Sequence, residues 1–579
     1  MATTVLRAAV VAGLCLSGRG ALAIDLAFTD VTALTGINAA HAPSALMETG
    51  PIIFGLLCGG GVCGDFNNDG FTDVFVVVGG KHADALYLNN GDGTFTDHAP
   101  SWGVAVKHMG LAAAVGDYDG DGWLDIFVSS AGLNGTVPAA RKHRLYRNTG
   151  ANGFIEIAAS AGVQKTSPTI PDGTGATFGD YDLDGDLDLY VAGWVGPSSG
   201  NRLFRNNDDG TFSDVSAAAG LPTLGIRGFS PRFADMDGDR FPELLIAADF
   251  GTSRYYRNNG NGTFTNLTTA AGVGLDDNGM GSTVGDYDND GRLDWYVTSI
   301  TSLTQIPNVP GTGNMLYRAV GTHAFAEVSG ATGVSQGGWG WGTTFADFNH
   351  DGWLDLVATN GWKIYAKFVN DPTRLWLNLK DGTFAEAAVA SGLIHTLDSR
   401  GLMTLDLEND GDDDLVIFTN HGSPRVFRNN TAGTPSANWL RLRFDTSGGR
   451  RLAPQGVGTR VIVTTEALTQ IRRLDTGTNY QSQNELSVFV GLGNAVSAEL
   501  RVEWADGTVT LLHAVPANQR VLVISGERSD LNQDGRVDGE DLGLVLESWG
   551  PCEPDDARDL TASGSIDGDD VVVLLGNWL

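Results

Sequence analysis

Four carboxylates are interleaved with two glycines in the stretch Asp117-Tyr-Asp119-Gly-Asp121-Gly122-Trp-Leu-Asp125. Oxygen-bearing side chains at positions 1, 3 and 5 converge only if the backbone curls around a common centre. Glycine at position 6 permits that sharp turn. A carboxylate at position 9 closes the shell, and a backbone carbonyl near position 7 adds to it. Calcium prefers a flexible, all-oxygen cage of this kind. Without a cation, each close pair of carboxylates would repel by about 1 kcal/mol in water, and by more when partly buried. The plain alternative is an acidic surface turn, since Asp and Gly are ordinary turn formers.

Repetition argues against that alternative. Asp65, Asn67, Asp69 and Asp73 form the first copy, and the stretch above is the second. Asp180, Asp182, Asp184 and Asp188 form the third, and Asp235, Asp237, Asp239 and Glu243 the fourth. Asp286, Asp288, Asp290 and Asp294 form the fifth, and Asp347, Asn349, Asp351 and Asp355 the sixth. Asp406, Glu408, Asp410 and Asp414 form the seventh. Their first residues are 52, 63, 55, 51, 61 and 59 positions apart. Asn67 and Asn349 are uncharged oxygen donors. Glu243 and Glu408 are longer than the Asp found at the matching places.

The elements that position these loops are short strands. Ala112-Ala-Ala-Val-Gly116 enters a loop and Ile126-Phe-Val-Ser129 leaves it. A Leu-Tyr-x-Asn strand follows, as in Leu86-Tyr-Leu-Asn89, Leu145-Tyr-Arg-Asn148, Leu203-Phe-Arg-Asn206 and Leu375-Trp-Leu-Asn378. A Gly-Thr-Phe strand completes the unit, as at Phe95, Phe212, Phe264 and Phe384. Four short strands repeated every 50 to 60 residues predict a β-propeller. Val426-Phe-Arg-Asn429 has no Gly-Thr-Phe after it, and Phe28 near the N-terminus is the strand left over. The ring is therefore expected to have seven blades and to close by pairing its two ends.

Over residues 28–430 this pattern resembles the FG-GAP/VCBS repeats of integrin α-subunits and many secreted bacterial proteins. The resemblance implies calcium in the loops on one face of a seven-bladed propeller spanning 24–430. Residues 431–527 are β-rich, with Asn438-Trp-Leu440, Gly456-Val-Gly-Thr-Arg460, Tyr480-Gln-Ser-Gln483 and Trp504-Ala-Asp506-Gly507. Their order resembles the ASPIC/UnbV domain that follows such propellers in the cartilage acidic protein family. The expected form is a small β-sandwich packed on the propeller.

Residues 528–579 are a duplication. Asp530, Asn532, Asp534, Asp538 and Asp541 occupy positions 1, 3, 5, 9 and 12 of a calcium loop. A shift of 29 reaches Asp559, Thr561, Ser563, Asp567 and Asp570. Helical apolar spacing follows each loop, at Leu542, Val545, Leu546 and Trp549, then at Val571, Leu574, Leu575 and Trp578. Two loop-helix halves resemble a dockerin, the module that docks onto cohesin domains in polysaccharide-degrading assemblies. In many dockerins a Ser-Thr pair at positions 10 and 11 contacts the partner. Here those positions hold Gly539-Glu540 and Gly568-Asp569. A calcium-stabilised tail without a partner is the other reading.

Composition fits an exported protein. The chain has 579 residues and a formal net charge of -32, which disfavours nucleic acid and anionic membranes. Residues 1–23 read as a secretion signal, with Arg7, the apolar run from Ala8 to Leu16, and Ala21-Leu22-Ala23. No later apolar run approaches a membrane span. Cys58 and Cys63 flank Gly59-Gly-Gly-Val62 and form either a short-loop disulfide or two small core residues, while Cys552 has no evident partner.

No catalytic set assembles. His82, His108, His143, His350 and His395 share no motif, and there is no G-x-S-x-G or H-E-x-x-H. Trp339, Trp341 and Trp362 are either a sugar-stacking platform or blade packing. The leading expectation is a secreted, calcium-binding, non-catalytic binding or adhesion protein. A glycan or protein ligand would bind the propeller, and a cohesin-bearing partner would hold the tail. The alternative is a calcium-dependent polysaccharide lyase or glycoside hydrolase.

Overall fold

The computed structural model describes residues 26–49, 54–130, 142–150, 153–164, 173–194, 200–301, 311–434, 437–447, 451–477, 479–526, 531, 537, 539–552, 556, 558–560 and 565–576. The secretion-signal region 1–23 lies outside them. The described residues are mainly β, 40% strand and 9% helical.

Between Phe28 and Asn429 the described strands form seven four-stranded antiparallel sheets, an arrangement consistent with a β-propeller. In sheet two, Gly110–Gly116, Asp125–Ser130, Arg144–Asn148 and Phe154–Glu156 pair in chain order. Each acidic loop joins the first strand of a sheet to the second. The first strands are buried almost throughout, with only Arg227 and Val284 partly exposed, and small residues let neighbouring sheets converge there. A Cβ on Gly64 would lie 2.6 Å from Leu124 of the next sheet, and one on Gly116 would lie 2.8 Å from Leu187.

These first strands touch in cyclic order. Gly60–Gly64 meets Gly110–Gly116, and contact then passes through Gly175–Gly179, Arg227–Ala234, Ser282–Gly285, Gly340–Ala346 and Ser399–Leu405 back to Gly60–Gly64. The last sheet takes its outer strand from the N-terminus: Phe28–Asp30 pairs with Arg425–Asn429, Phe28 opposite Asn429. That pairing covers the edge of Arg425–Asn429 and leaves only the three-residue Phe28–Asp30 as the outer strand of that sheet.

The asparagine of the third strand ties each sheet to the one before it. Asn148 Nδ2 donates to the Phe66 carbonyl (2.8 Å), Asn206 Nδ2 to Tyr118 (2.7 Å) and Asn258 Nδ2 to Tyr181 (2.7 Å). Asn378 and Asn429 do the same to Tyr287 and Phe348. Asn89 Nδ2 reaches Leu407 of the last sheet at 2.9 Å, which closes the cycle. Ala319 replaces asparagine in sheet five.

Residues 438–524 form two further sheets. Asn438–Asp445 lies between Val488–Gly493, antiparallel, and Gln519–Ile524, parallel. Thr469–Arg473, Arg460–Thr464, Ser497–Glu503 and Val509–Pro516 form the second. Leu440, Leu442, Val461, Val463, Leu500 and Trp504 share one core between them.

The segment 475–485 of this β domain enters the centre of the ring and touches the first strand of every sheet. Gly61 N–H donates to Ser482 Oγ (3.3 Å), and Gln483 both accepts from Val115 N–H (3.0 Å) and donates to its carbonyl (3.1 Å). Thr177 Oγ1 donates to the Thr476 carbonyl (2.9 Å), and Arg232 pairs with Asp475. Ser282 and Thr343 N–H groups donate to the Asn479 carbonyl (both 3.3 Å), and Thr404 N–H to Asn484 Oδ1 (3.0 Å). Tyr480, Gln481 and Ser482 are fully buried. The β domain is thus plugged into the ring as well as packed on it.

In the tail, helices Gly539–Glu547 and Gly568–Gly576 pack together over Val537, Val545, Leu560, Ile566 and Leu574. The expected apolar stripe is only half buried: Val545 and Leu574 are enclosed, whereas Leu546 and Leu575 are 53% and 52% exposed. No helix of the described residues is long and apolar enough to cross a membrane.

Candidate cation-binding loops

Backbone geometry draws each acidic loop around its first residue. In copy two, Asp117 accepts from Asp121 N–H (3.0 Å) and from Gly122 N–H (2.8 Å). Copies one, three, five, six and seven repeat both bonds at Asp65, Asp180, Asp286, Asp347 and Asp406. The turn needs a left-handed residue at position 6, which is Gly122 (φ 87) here and Arg240 (φ 80) in copy four. Arg240 is held there by a bond from Nη1 to the Ala505 carbonyl of the β domain.

Three carboxylates converge to within 4.8 Å in four loops: Asp117, Asp119 and Asp125; Asp180, Asp182 and Asp188; Asp235, Asp237 and Asp239; Asp286, Asp288 and Asp290. Copy four has a second such group, Asp237, Glu243 and His323, with His323 Nε2 3.0 Å from Asp237. In copies one and six the asparagine joins the loop instead. Asn67 Nδ2 donates to Asp69 Oδ2 (2.8 Å), and Asn349 Nδ2 to Asp351 Oδ2 (2.9 Å).

The fit to a hard cation can be tested on position 3. Asp119 Oδ1, Asp182 Oδ1, Asp288 Oδ1 and Glu408 Oε2 are buried oxygens with no hydrogen-bond partner. A buried polar atom left unpaired costs about 1–3 kcal/mol, more if charged. A cation among the converging oxygens would satisfy it, and the all-oxygen donor set suits calcium.

Position 9 carries a heavier load than a ligand needs. Asp125 is fully buried, and its oxygens accept from Tyr118 N–H (3.1 Å) and Asn148 N–H (2.7 Å). Asp73, Asp188, Asp355 and Asp414 pin the same two backbone groups, Asp294 uses Ala319 N–H, and Glu243 spans the wider gap to Met236 and Asn258. Desolvation pushes the pKa values of these carboxyl groups upward. Asp117, Asp182, Asp286 and Asp406 rise to about 6, and Asp73 rises to about 8. Asp125, Asp180, Asp188, Glu243, Asp294, Asp355 and Asp414 lie well above the usual carboxylate range for the same reason.

The β domain covers this face with cations that the sequence pattern does not reveal. Arg443 lies 3.6 Å from Asp65, Arg473 3.1 Å from Asp235 and Arg441 3.4 Å from Asp406. Gln455 Nε2 reaches Asp117 at 3.4 Å, and Arg472 donates to the Gly352 carbonyl at 3.2 Å. His350, at position 4 of copy six, bridges Asp412 of copy seven (2.9 Å) and the Ala437 carbonyl (3.1 Å). No general signal marks those arginines, because they come from another domain.

Other singled-out residues are dispersed. His108 pairs with Asp84 (3.2 Å), His143 accepts from Ser130 N–H (3.1 Å), and His395 meets Thr373 (3.0 Å), at three separate places around the sheets. Trp339 stacks on Trp362 (5.0 Å), and Trp341 packs against Tyr480 of the plug (5.1 Å) under Arg400 (4.3 Å). Trp339 and Trp341 are buried packing residues. Cys58 and Cys63 are free and buried, and Cys552 is free. In the tail, Asp541 Oδ1 accepts from Leu531 N–H (2.7 Å), and Asp541, Asp559 and Asp570 are buried. Asp567 donates its N–H to Asp570 (2.7 Å). Asp530, Asn532, Asp534 and Asp538 lie outside the described residues.

Four-stranded sheets, each with an acidic loop after its first strand, define a repeat protein with candidate cation-binding loops. Residues 65–128, 180–246 and 235–297 match the FG-GAP-like repeat, and residues 449–530 match the family described as ASPIC and UnbV. The chain carries both and is homologous to cartilage acidic protein 1. It is 25% identical to the mouse (Mus musculus) protein over 68% of this chain and 60% of that one, and 25% identical to the human (Homo sapiens) protein over 45% and 39%. It therefore spans less than two thirds of the length of these relatives. Among solved structures, a lectin from Burkholderia pseudomallei is 11% identical, with a TM-score of 0.43 over 65% of this chain and 97% of that chain. A rhamnogalacturonan lyase is 15% identical, with a TM-score of 0.35 over 64% and 71%.

Proposed function

We propose that this chain is an exported, calcium-binding, non-catalytic binding or adhesion protein built on a seven-bladed propeller. The observation that carries the calcium reading is the unpartnered buried oxygen at position 3 of copies two, three, five and seven. In the first three of these copies it belongs to a side chain in a converging carboxylate group. The cyclic contact of the seven first strands and the bond from Asn89 to Leu407 support the blade count. Export is supported by the signal-like residues 1–23 and by relatives whose name places them in cartilage, an extracellular tissue.

Calcium would fix the loops at one end of the ring, where the β domain already covers them. Recognition of a glycan or protein ligand is then left to the opposite face. The tail is a dockerin-like tether, and exposed Leu546 and Leu575, 29 residues apart at matching helix positions, supply an apolar contact for a cohesin-bearing partner. The test is equilibrium dialysis with calcium, together with melting in calcium and in chelator. Several bound ions and a lower melting temperature in chelator are expected. Unchanged melting and no bound calcium would sink the reading. Calcium-dependent release of products from a polysaccharide panel would overturn its non-catalytic part.

A further inference from the structure

Position 3 of the loops and the third strand of the same sheet vary together. Where position 3 is a carboxylate, the third strand holds arginine just before its asparagine or Ala319. Asp119 goes with Arg147, Asp182 with Arg205, Asp237 with Arg257, Asp288 with Arg318, and Glu408 with Arg428. Where position 3 is asparagine, that strand residue is leucine: Asn67 goes with Leu88, and Asn349 with Leu377. All seven repeats obey the match.

Geometry gives the match a cause. Arg147 Nε lies 2.5 Å from Asp119 Oδ2, and its Nη2 lies 3.1 Å from Asp121 Oδ2. Arg318 is 3.8 Å from Asp288 Oδ2, and Arg428 is 3.6 Å from Glu408 Oε1. Arg205 acts electrostatically on Asp182. Asp119 Oδ1, Asp288 Oδ1 and Glu408 Oε2, the oxygens turned away from the arginine, are buried and unpartnered, and Asp182 Oδ1 is buried and unpartnered as well. In the asparagine loops the side-chain amide donates to the outer oxygen of position 5, the atom that Arg147 Nη2 meets in copy two. Copy four departs. There His323 takes the contact with Asp237, and Arg257 turns to Asn259 (2.8 Å).

We infer that the third-strand arginines Arg147, Arg205, Arg318 and Arg428 are positioning residues that set the charge, and hence the cation affinity, of the loops they face. The guanidiniums of Arg147, Arg318 and Arg428 pair with the outer oxygen of position 3, so the other oxygen faces the ion, and Arg205 offsets the charge of Asp182. Counting these groups alone, a loop with four carboxylates and an arginine carries the same net charge as one with three carboxylates and an asparagine. Arg292 beside Asp290 in copy five and Lys380 beside Asp351 (3.2 Å) in copy six add charge outside the match. β-domain arginines at position 1 of copies one, four and seven add charge without regard to this match. The inference rests on the proposed calcium occupancy.

The experiment is a calcium chloride titration of the full chain by calorimetry, comparing wild type with Asp119→Asn, Arg147→Leu and the double variant. Arg147→Leu should tighten calcium binding by roughly two- to fivefold, the range of an exposed ion pair. The same change should have a clearly smaller effect in the Asp119→Asn background, because the carboxylate it acts through is gone. The double variant, which recreates the first repeat's pair, should bind close to wild type. An equal fold-change in both backgrounds, or weaker binding by Arg147→Leu, overturns the inference while leaving calcium binding intact. A wild-type chain that takes up no calcium overturns the calcium reading itself, and this inference with it. The matching set Asp288→Asn and Arg318→Leu in copy five repeats the test should a copy-two variant fail to fold.

Discussion

At the residue scale the acidic loops divide their labour. Position 1 accepts the two loop N–H groups that draw the backbone around it, position 3 keeps one buried oxygen unpartnered in four copies, and position 9 spends both oxygens on backbone N–H groups. Asp125→Ala would strand the N–H groups of Tyr118 and Asn148 in a buried setting. We expect a loss of about 3 kcal/mol, read as a lower denaturant midpoint in calcium and in chelator alike. A loss seen only in calcium would mean that position 9 acts as a ligand alone. Glu485 is the second residue whose surroundings predict a result. Burial would raise its pKa, but Arg441, Arg443 and Arg520 pull it down to about 2. Glu485→Gln would leave Arg441 buried without its full set of countercharges. The expected cost is about 3–5 kcal/mol, measured by chemical denaturation.

At the element scale, each four-stranded sheet is tied to its neighbour by one asparagine. Asn206 Nδ2 is buried and bonds the Tyr118 carbonyl of the preceding sheet. Asn206→Ala should cost about 1–3 kcal/mol, since that carbonyl loses its donor inside the protein. Asn89→Ala removes the bond that joins the first sheet to the last. It should cost at least as much, because it loosens the junction where the ring closes. Equal midpoints for wild type and both variants would show that the sheets hold together by apolar packing alone. Sheet five, with Ala319, already lives without this bond. Tyr255, Trp295, Tyr317 and Phe325 pack in one core shared by sheets four and five.

At the scale of the whole molecule, the β domain and the ring are one mechanical unit, whereas the tail packs on its own core. Deleting 528–579 should leave the main melting transition unchanged and abolish any cohesin capture. Ending the chain at 434 should lower that transition, because segment 475–485 no longer fills the centre. The loops also make stability depend on pH in a direction that calcium reverses. In the cation-free chain Asp117 and Asp182 are raised to about 6 and Asp73 to about 8, from an ordinary value of 3.8. The folded state then holds protons that the unfolded state has released, so stability present below about pH 4 is lost as pH rises through 6 to 8. Bound calcium holds the carboxylates ionised and turns the slope around. In chelator the protein should melt higher at pH 5 than at pH 8. In calcium it should melt higher at pH 8. The same slope in both buffers would show that the loops do not hold the ion.

Local signals carried much of this molecule. The Asp-x-Asp-x-Asp-Gly spacing, the Gly-Thr-Phe strands and the duplicated tail depend on residues within about ten positions of one another. Their turn geometry, alternation and helical spacing are therefore readable from the chain. The seven acidic loops, the four-strand unit and the two tail helices were legible in this way. Contacts across hundreds of residues were not. Nothing near Tyr480-Gln-Ser-Gln483 announces that it fills the centre of a ring begun at Gly60, or that Arg441, Arg443 and Arg473 lie on Asp406, Asp65 and Asp235. The tail shows the same limit. Helical spacing marks Val545 and Leu546 alike, yet only Val545 is enclosed, because burial depends on which neighbour arrives. Sequence determined the donor atoms and the strands that carry them. Tertiary structure decided which of those atoms are buried, which are paired, and which are left facing one another.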